Sequence, residues 1–406
     1  MRLAFTVPAD RRNLTGSESL TFTPDRPVAD IVLRLWVNRP ATAKYGARLQ
    51  PTKVSADGMT SYALTSSDTL LRIRLRRAVP AGTTLHAAVR FGLRLPVGAD
   101  DRLGTRPDAT WWGTGFPLLS YVRGEGYATE PATSLFAETA TSEEFRLADL
   151  AVTAPPGDTV LATGTPGAHQ GRTWHFSASA VRDVAVATGQ FRYAHMSAAG
   201  VPITVGVARD LPDNATPVAG VISNAVRDHV QRFGPFPFAR LNIPVVPDVH
   251  GGIEYPGEIY LGTRQLDATP SHEVAHEWFY GLVGDDQARD PWLDEAFATY
   301  VEALDNGRAD YYAGTVVPSA GRNKVGEPMT YWEKYGENTY FRAVYLQGAT
   351  ALINARTASG AAAFDRAIRC YVNAVAHRIA RPADLLRALH GLPRAVDVLR
   401  RAGAFG

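Results

Sequence analysis

The sequence predicts an α+β protein, with an antiparallel β domain over residues 1–205 and a mainly helical domain over residues 206–406. A chain of 406 residues exceeds what one hydrophobic core usually organises, so two domains are expected. Up to about residue 205, short alternating runs are separated by Gly, Pro, Asp and Asn, which is typical of strands and turns. Beyond that point apolar residues recur every three or four positions, which is typical of helices.

The strand pattern is clearest at residues 31–37 and 69–79. In the second run apolar residues alternate with arginines, in the order Leu71, Arg72, Ile73, Arg74, Leu75 and Arg76. Because successive side chains of a strand point to opposite faces, one face would be apolar and the other cationic. We expect a half-buried strand whose arginine row is a solvated outer face rather than a binding stripe.

The helical half begins near Pro217, a residue type that suits the first turn of a helix. Apolar residues at helical spacing follow it up to Gly234. Strands are expected near residues 241–246 and 258–261, with a loop at 249–256 between them. The same helical spacing predicts three later helices, at residues 345–356, 361–375 and 383–389.

The composition excludes several classes of protein. Apolar residues make up 45% and charged residues 20%, as in ordinary globular proteins. A net charge of +2 gives no field for capturing nucleic acid, so no nucleic-acid partner is expected. No apolar run is long enough to span a bilayer, so no integral membrane segment is expected. The sequence leaves the oligomeric state open, and also the compartment: cytoplasmic as it stands, or exported if a signal segment was trimmed.

Residues 272–276, with the sequence HEVAH, are the strongest candidate for a chemical function. The single cysteine, Cys370, excludes a thiolate metal cluster, so any metal site must use His, Asp and Glu. No helix breaker interrupts the string, and residues four apart share one face of a helix, so His272 and His276 can bind one cation. Glu273 would project beside them toward a metal-bound water. The alternative is a chance pair of surface histidines on an amphipathic helix.

Glu295 is the candidate for a third metal ligand. A catalytic zinc site requires three protein ligands and an open position for water. Residues 292–300 are apolar enough to form a packed helix, and the connection over 277–294 is long enough for an antiparallel return. We therefore predict one Zn²⁺ per chain, held by His272, His276 and Glu295, with Glu273 as the general base.

The pattern HExxH, eighteen residues, Glu resembles the signature of the gluzincin aminopeptidases, the aminopeptidase N family of zinc metallopeptidases. The surrounding segments HEVAHEWFYGLVGDD and PWLDEAFATY are also similar to that family. The resemblance implies a saddle-like N-terminal β domain followed by a thermolysin-like catalytic domain. It also implies a short form, because the C-terminal helical domain of longer relatives is missing.

Residues 251–255, with the sequence GGIEY, resemble the family's GxMEN exopeptidase loop, with Ile in place of Met and Tyr in place of Asn. The resemblance implies that Glu254 pairs with the α-amine of the substrate and that the backbone at Gly251 and Gly252 lies along the bound peptide. A carboxylate one residue from the scissile bond would select for a charged terminus. The alternative is a glycine-rich turn with one exposed acid.

Residues 343–349, with the sequence AVYLQGA, are similar to the family's VYEKGA segment, whose tyrosine donates a hydrogen bond to the tetrahedral intermediate. The resemblance gives that role to Tyr345. Leu346 and Gln347 depart from the family pattern, so Tyr340 is kept as the fallback, and an ordinary core tyrosine is the alternative. The family's second amine-binding Gln or Glu, which comes from the β domain, has no equivalent that we can assign in this sequence.

These residues predict a zinc-dependent aminopeptidase that acts on peptides with a free N-terminus. Two alternatives stay open. A zinc endopeptidase of thermolysin-like mechanism would use the same metal chemistry without needing Glu254. A catalytically silent interaction protein would keep the fold, but it should have lost metal ligands or the base.

Overall fold

The computed structural model describes residues 1–96, 99–131, 141–263 and 269–405. The strands, in chain order, are β1 (Arg2–Thr6), β2 (Asn13–Phe22), β3 (Val28–Arg34), β4 (Arg48–Ala56), β5 (Met59–Thr65), β6 (Leu70–Val79), β7 (Leu85–Arg94), β8 (Ala99–Asp100), β9 (Leu103–Thr105), β10 (Ala109–Gly113), β11 (Leu118–Leu119), β12 (Tyr121–Val122), β13 (Gly126–Tyr127), β14 (Phe145–Thr153), β15 (Thr159–Ala162), β16 (Thr165–Pro166), β17 (Thr173–Val181), β18 (Ala185–Gly189), β19 (Phe191–Ala198), β20 (Val201–Ala208), β21 (Leu241–Val245), β22 (Gly252–Tyr255) and β23 (Glu258–Leu261). The α-helices are α1 (Pro40–Ala43), α2 (Ala215–Phe233), α3 (Thr269–Ala275), α4 (Trp292–Asp305), α5 (Ala309–Ala313), α6 (Met329–Trp332), α7 (Glu337–Tyr340), α8 (Gly348–Ser359), α9 (Ala361–Val375), α10 (Pro382–Ala388) and α11 (Pro393–Arg401).

Three sheets build most of the β half. Their strand orders are β16-β17-β14-β1-β2-β7-β4, β11-β3-β6-β5 and β15-β18-β10-β9-β8. The paired strands are antiparallel, except that β1 and β14 are parallel. Apolar faces of these strands share one core, in which the ring centroid of Phe5 lies 5.8 Å from that of Phe91 and 5.3 Å from that of Trp112. The predicted α+β class, with a β half followed by a helical half, is confirmed.

Strand β6 has the two faces that its sequence predicts. Leu71 and Ile73 are fully buried, whereas Arg74 and Arg76 on the opposite face are exposed. Arg72 is half-buried and donates a hydrogen bond of 2.7 Å to Asp30 on the neighbouring strand β3. The arginine row is therefore an outer face, as expected.

A separate five-stranded sheet, with the order β19-β20-β21-β23-β22, supports the helical half. Helix α2 packs on it, and Asn214 caps that helix by accepting a hydrogen bond of 3.0 Å from the amide of Thr216. The boundary expected at residue 205 falls inside β20, which pairs in parallel with β21 from Ile203 to Val207. Because the hairpin β19–β20 belongs to this sheet, we propose that the β domain ends near Gln190.

The helices after β23 enclose the second hydrophobic core. Phe279 and Phe297 stack with their ring centroids 4.5 Å apart, and Phe297 also stacks on Tyr371 at 6.1 Å. These contacts fix α4 against the chain that follows α3 and against α9. No helix within the described residues is both long enough and apolar enough to cross a membrane.

The predicted helices agree with the structure at residues 361–375 and, with a shift of one residue, at 383–389. Two others differ. Helix α3 ends at Ala275, so His276 lies in the turn that follows it, because the bulky buried residues after His276 leave the helix to enter the core. The helix expected at 345–356 begins only at Gly348, and a π-helical segment, Phe341–Gln347, precedes it. Such segments are often found at functional sites.

Candidate active site

A cavity of about 440 Å³ lies between the β half and the helical half. The β half contributes Arg39, Asp101 and Arg102 to its lining. The helical half contributes most of the residues that the sequence singles out, namely Gly251, Gly252, Glu254, His272, Glu273, Glu295 and Tyr345. His276 lies behind this wall and is 1% exposed.

The side chains of the three predicted metal ligands, His272, His276 and Glu295, converge on one point. The Nε2 atom of His272 lies 3.1 Å from Nε2 of His276 and 3.2 Å from Oε2 of Glu295. The third side of this triangle, from Nε2 of His276 to Oε2 of Glu295, is 3.4 Å. Helix α3 presents His272, the turn after it presents His276, and the first turn of α4 presents Glu295.

The hydrogen bonds behind the two imidazoles orient them for metal binding. Nδ1 of His276 lies 3.0 Å from the carbonyl oxygen of Phe279, and Nδ1 of His272 lies 3.3 Å from Oε2 of Glu302. Each Nδ1–H therefore has an acceptor, which leaves the lone pair of each Nε2 atom directed at the centre of the triangle.

This donor set fits zinc. Two imidazole nitrogens and a carboxylate oxygen form a ligand set of catalytic zinc sites, and their bond lengths of about 2.0–2.2 Å place tetrahedral ligand atoms about 3.3–3.5 Å apart. The observed separations are 3.1–3.4 Å. A second group, Glu254, Glu273 and His276, also has ligand atoms within 4.8 Å of one another, but Glu254 already accepts a hydrogen bond from Arg102. The first group is therefore the better metal site.

The ligand side chains shift one another's pKa values. Burial by itself would lower the pKa of His276, but the Glu295 carboxylate raises it to about 9. Burial would also lower the pKa of His272, which Glu295 and Glu302 raise well above its usual value. Burial opposes ionisation of Glu295, yet the two imidazoles hold its pKa below the usual value. The carboxylate is thus ionised, and a metal cation that binds here displaces protons from the imidazoles.

Glu273 is next to the metal ligands without being one of them. Its side chain is 4% exposed, and its Oε2 atom is buried with no hydrogen-bond partner among the described residues. Burial raises the pKa of Glu273 to about 8, against the opposing effect of His272 and His276. The backbone of Gly252 packs directly on it, because a Cβ atom at Gly252 would lie 2.3 Å from Cγ of Glu273.

Glu254 lies on β22 and is 5% exposed. Its carboxylate accepts a hydrogen bond of 2.8 Å from Nη2 of Arg102 in the β half. Its carboxylate also lies within 4.8 Å of ligand atoms of Glu273 and His276. The predicted glycine-rich loop is thus placed at the metal site, and its acid is buried rather than exposed.

Of the two candidate tyrosines, only Tyr345 lines the cavity. Its ring is nearly parallel to that of His272, with an interplanar angle of 2° and a centroid distance of 6.0 Å. Tyr340 is fully buried behind it and packs edge-on against the ring of Tyr345 at 5.7 Å. The geometry therefore favours Tyr345 over Tyr340 as a group that meets the substrate.

Two residues of the site were missed in the sequence. Glu302, which orients His272, follows Glu295 by seven residues on α4, and this spacing of two helical turns is a readable signal. Arg102 has no comparable signal, because it reaches Glu254 only through the packing of the two halves.

Comparisons with known proteins agree with this geometry. Residues 262–399 match the sequence profile described as the Peptidase family M1 domain. Aminopeptidase M1-D of Oryza sativa subsp. japonica is 26% identical over 183 residues, which cover 38% of this chain and 21% of that protein. Aminopeptidase O of Mus musculus is 36% identical over 80 residues, which cover 18% of this chain and 10% of that protein. The matched part is thus about a fifth or less of these curated relatives.

Solved structures match over almost the whole chain. A mutant of a two-domain M1 zinc metallopeptidase bound to L-arginine gives a TM-score of 0.75 at 20% identity, covering 99% of this chain and 92% of that one. The M1 zinc metallopeptidase from Deinococcus radiodurans gives 0.73 at 20% identity, covering 100% and 94%. A mutant from the same organism bound to the substrate Tyr-Ser-Ala gives 0.74 at 20% identity, covering 99% and 93%. Residues 262–399 thus match the Peptidase family M1 domain, and the chain has the fold of two-domain M1 zinc metallopeptidases.

Proposed function

We propose that the protein is a zinc-dependent aminopeptidase that removes N-terminal residues from peptides. The observation that carries this proposal is the position of Glu254, a buried carboxylate within 4.8 Å of ligand atoms of Glu273 and His276. A negative charge this close to the metal ligands and the general base favours a substrate whose positive terminus lies one residue from the scissile bond.

In this proposal each side chain around the metal has its own role in the reaction. Zinc, when bound, supplies a Lewis acid that activates water and polarises the carbonyl group of the scissile bond. Glu273 takes a proton from the attacking water and passes it to the leaving amine. Burial raises its pKa, and a cation held by the neighbouring ligands would lower it again, so that the carboxylate can accept the proton. The hydroxyl of Tyr345 donates a hydrogen bond to the oxyanion that forms on the carbonyl.

The relatives support peptides as the substrate class. The curated relatives are named aminopeptidases, and one structural neighbour is bound to the substrate Tyr-Ser-Ala. The cavity of about 440 Å³ is large enough for a residue and part of the next one. The metal ligands and the general base are all present, so this site lacks the losses expected of a silent interaction protein.

Hydrolysis of paired free and N-acetylated amino-acid amides tests the aminopeptidase proposal. We expect the wild type to cleave only the free-amine member of each pair, because the acetyl group removes the charge that Glu254 binds. Glu254→Ala should lower kcat/KM for free-amine substrates by about 10²-fold or more, as a lost charge pair does. Glu273→Ala should abolish turnover while zinc content stays near one per chain.

Equal cleavage of the acetylated amides by the wild type would identify an endopeptidase instead. No zinc in the purified protein, together with no turnover of either amide after zinc is added, would indicate a silent interaction protein.

Gly252→Ala should displace the general base. A Cβ at this position would lie 2.3 Å from Cγ of Glu273, so that side chain must move. Because a misplacement of about 1 Å can cost about 10²-fold in rate, we expect kcat to fall by that order with unchanged zinc content. Gly220→Ala, in α2, is the matched control, since a Cβ there meets nothing within 4 Å. Unchanged kcat in Gly252→Ala would show that Glu273 is not held by this contact.

Glu302→Gln should weaken zinc binding. Oε2 of Glu302 lies 3.3 Å from Nδ1 of His272, and groups in this position orient the imidazole and raise its basicity. We expect the Kd for zinc, measured by competition with a chelator, to rise about 10–100-fold. Glu337→Gln, at an exposed position, is the control. An equal Kd for zinc in the wild type and in Glu302→Gln would show that Glu302 does not support zinc binding.

A further inference from the structure

We propose that Arg102 is a positioning residue that holds Glu254 ready for the N-terminus of the substrate. The inference rests on the proposed aminopeptidase function and names a residue of the β half that this function requires. In the family that this sequence resembles, the β domain offers a Gln or Glu to the substrate amine. Here the residue of the β half that contacts Glu254 is a cation, which cannot bind an ammonium group itself and must act through the carboxylate.

The contact between the two residues is buried and direct. Nη2 of Arg102 donates a hydrogen bond of 2.8 Å to Oε1 of Glu254, and the two side chains are 5% and 7% exposed. The residues are 152 positions apart and belong to different domains. A charge-assisted bond at this distance fixes the rotation of the carboxylate, so that its second oxygen faces a constant direction.

The arginine is itself held by aromatic rings. Its guanidinium carbon lies 5.3 Å from the ring centroid of Tyr255 and 5.8 Å from that of Trp36. The backbone oxygen of Arg102 accepts a hydrogen bond of 2.9 Å from the amide of Gly113. Gly113 in turn allows Tyr255 to pack closely, because a Cβ there would lie 1.8 Å from the tyrosine hydroxyl. Glycine is thus needed at this strand end to seat the ring beside the guanidinium.

Arg102 also stabilises the negative charge of Glu254 in a site that contains a second buried carboxyl group. The carboxyl groups of Glu254 and Glu273 have oxygen atoms within 4.8 Å of each other, so ionising both of them in this buried site costs free energy. The guanidinium bonded to Oε1 of Glu254 offsets that cost. In this proposal Oε1 of Glu254 accepts the hydrogen bond from Arg102, and Oε2 accepts one from the α-ammonium group of the substrate.

The test uses the zinc-loaded enzyme with free and N-acetylated L-leucine 4-nitroanilide as probes. Arg102→Met keeps the apolar stem and removes the hydrogen bond, and Arg102→Lys restores a positive charge without the planar fork. For the free-amine substrate we expect KM to rise about 10–100-fold in Arg102→Met with a smaller change in kcat, and Arg102→Lys to recover part of the loss. Arg106→Met is the matched control, because Arg106 pairs with Asp248 outside the cavity.

A double-mutant cycle with Glu254→Gln separates positioning from a structural role. If Arg102 acts through Glu254, then Arg102→Met should cost little once Glu254 is already Gln, and the two effects should be non-additive. Additive effects, or an equal loss of kcat and zinc content in Arg102→Met, would overturn the proposal. If Arg102→Met does not fold, the same cycle is run with Arg102→Lys, whose effect must also vanish in the Glu254→Gln background.

The wild type alone tests the proposed aminopeptidase function, through its cleavage of free and acetylated substrates. A wild type that cleaves free and acetylated substrates equally is not an aminopeptidase, and the role of Arg102 falls with it. A wild type that requires the free amine, with Arg102→Met matching Arg106→Met, overturns the role of Arg102 alone.

Discussion

Three ligand atoms, two imidazole nitrogens and one carboxylate oxygen, lie 3.1–3.4 Å from one another in the interior of the protein. They repel or compete for protons unless a cation joins them, so the surrounding structure must hold them together. Helix α4 is fixed by the stack of Phe297 on Phe279, which follows the HExxH turn directly. The bonds from Phe279 and Glu302 to the Nδ1 atoms then set the direction of each ring. The packing of the second hydrophobic core thus holds the metal ligands in place.

Among the described residues four glutamates line this cavity, and each has different neighbours, which favour a different role. Glu295 faces the two imidazoles, which keep it ionised as a ligand. Glu273 is buried against Gly252, and burial raises its pKa to about 8. Glu302 faces the back of His272, and Glu254 pairs with Arg102. The proposed function thus gives the same chemical group four roles, as ligand, base, orienting group and substrate anchor, according to its neighbours.

The sequence predicts those parts of the site that depend on local spacing. His272, Glu273 and His276 follow from helical periodicity, and the order of a β half and a helical half follows from the change of period. Local spacing does not show which sheet a strand joins, so β19 and β20 read as part of the β domain, although β20 pairs with β21 and β19 pairs with β20. It also does not report where tertiary packing ends a helix, as it does after Ala275. The contact of Arg102 with Glu254 depends on how the β half packs against the helical half, and no local sequence pattern predicts it.

Anomalous diffraction at the zinc absorption edge, from crystals of the zinc-loaded protein, tests the central claim most directly. The account predicts one peak per chain, about 2.0–2.2 Å from Nε2 of His272, from Nε2 of His276 and from the carboxylate of Glu295. A peak between Glu254, Glu273 and His276, or no peak in this cavity, would contradict it.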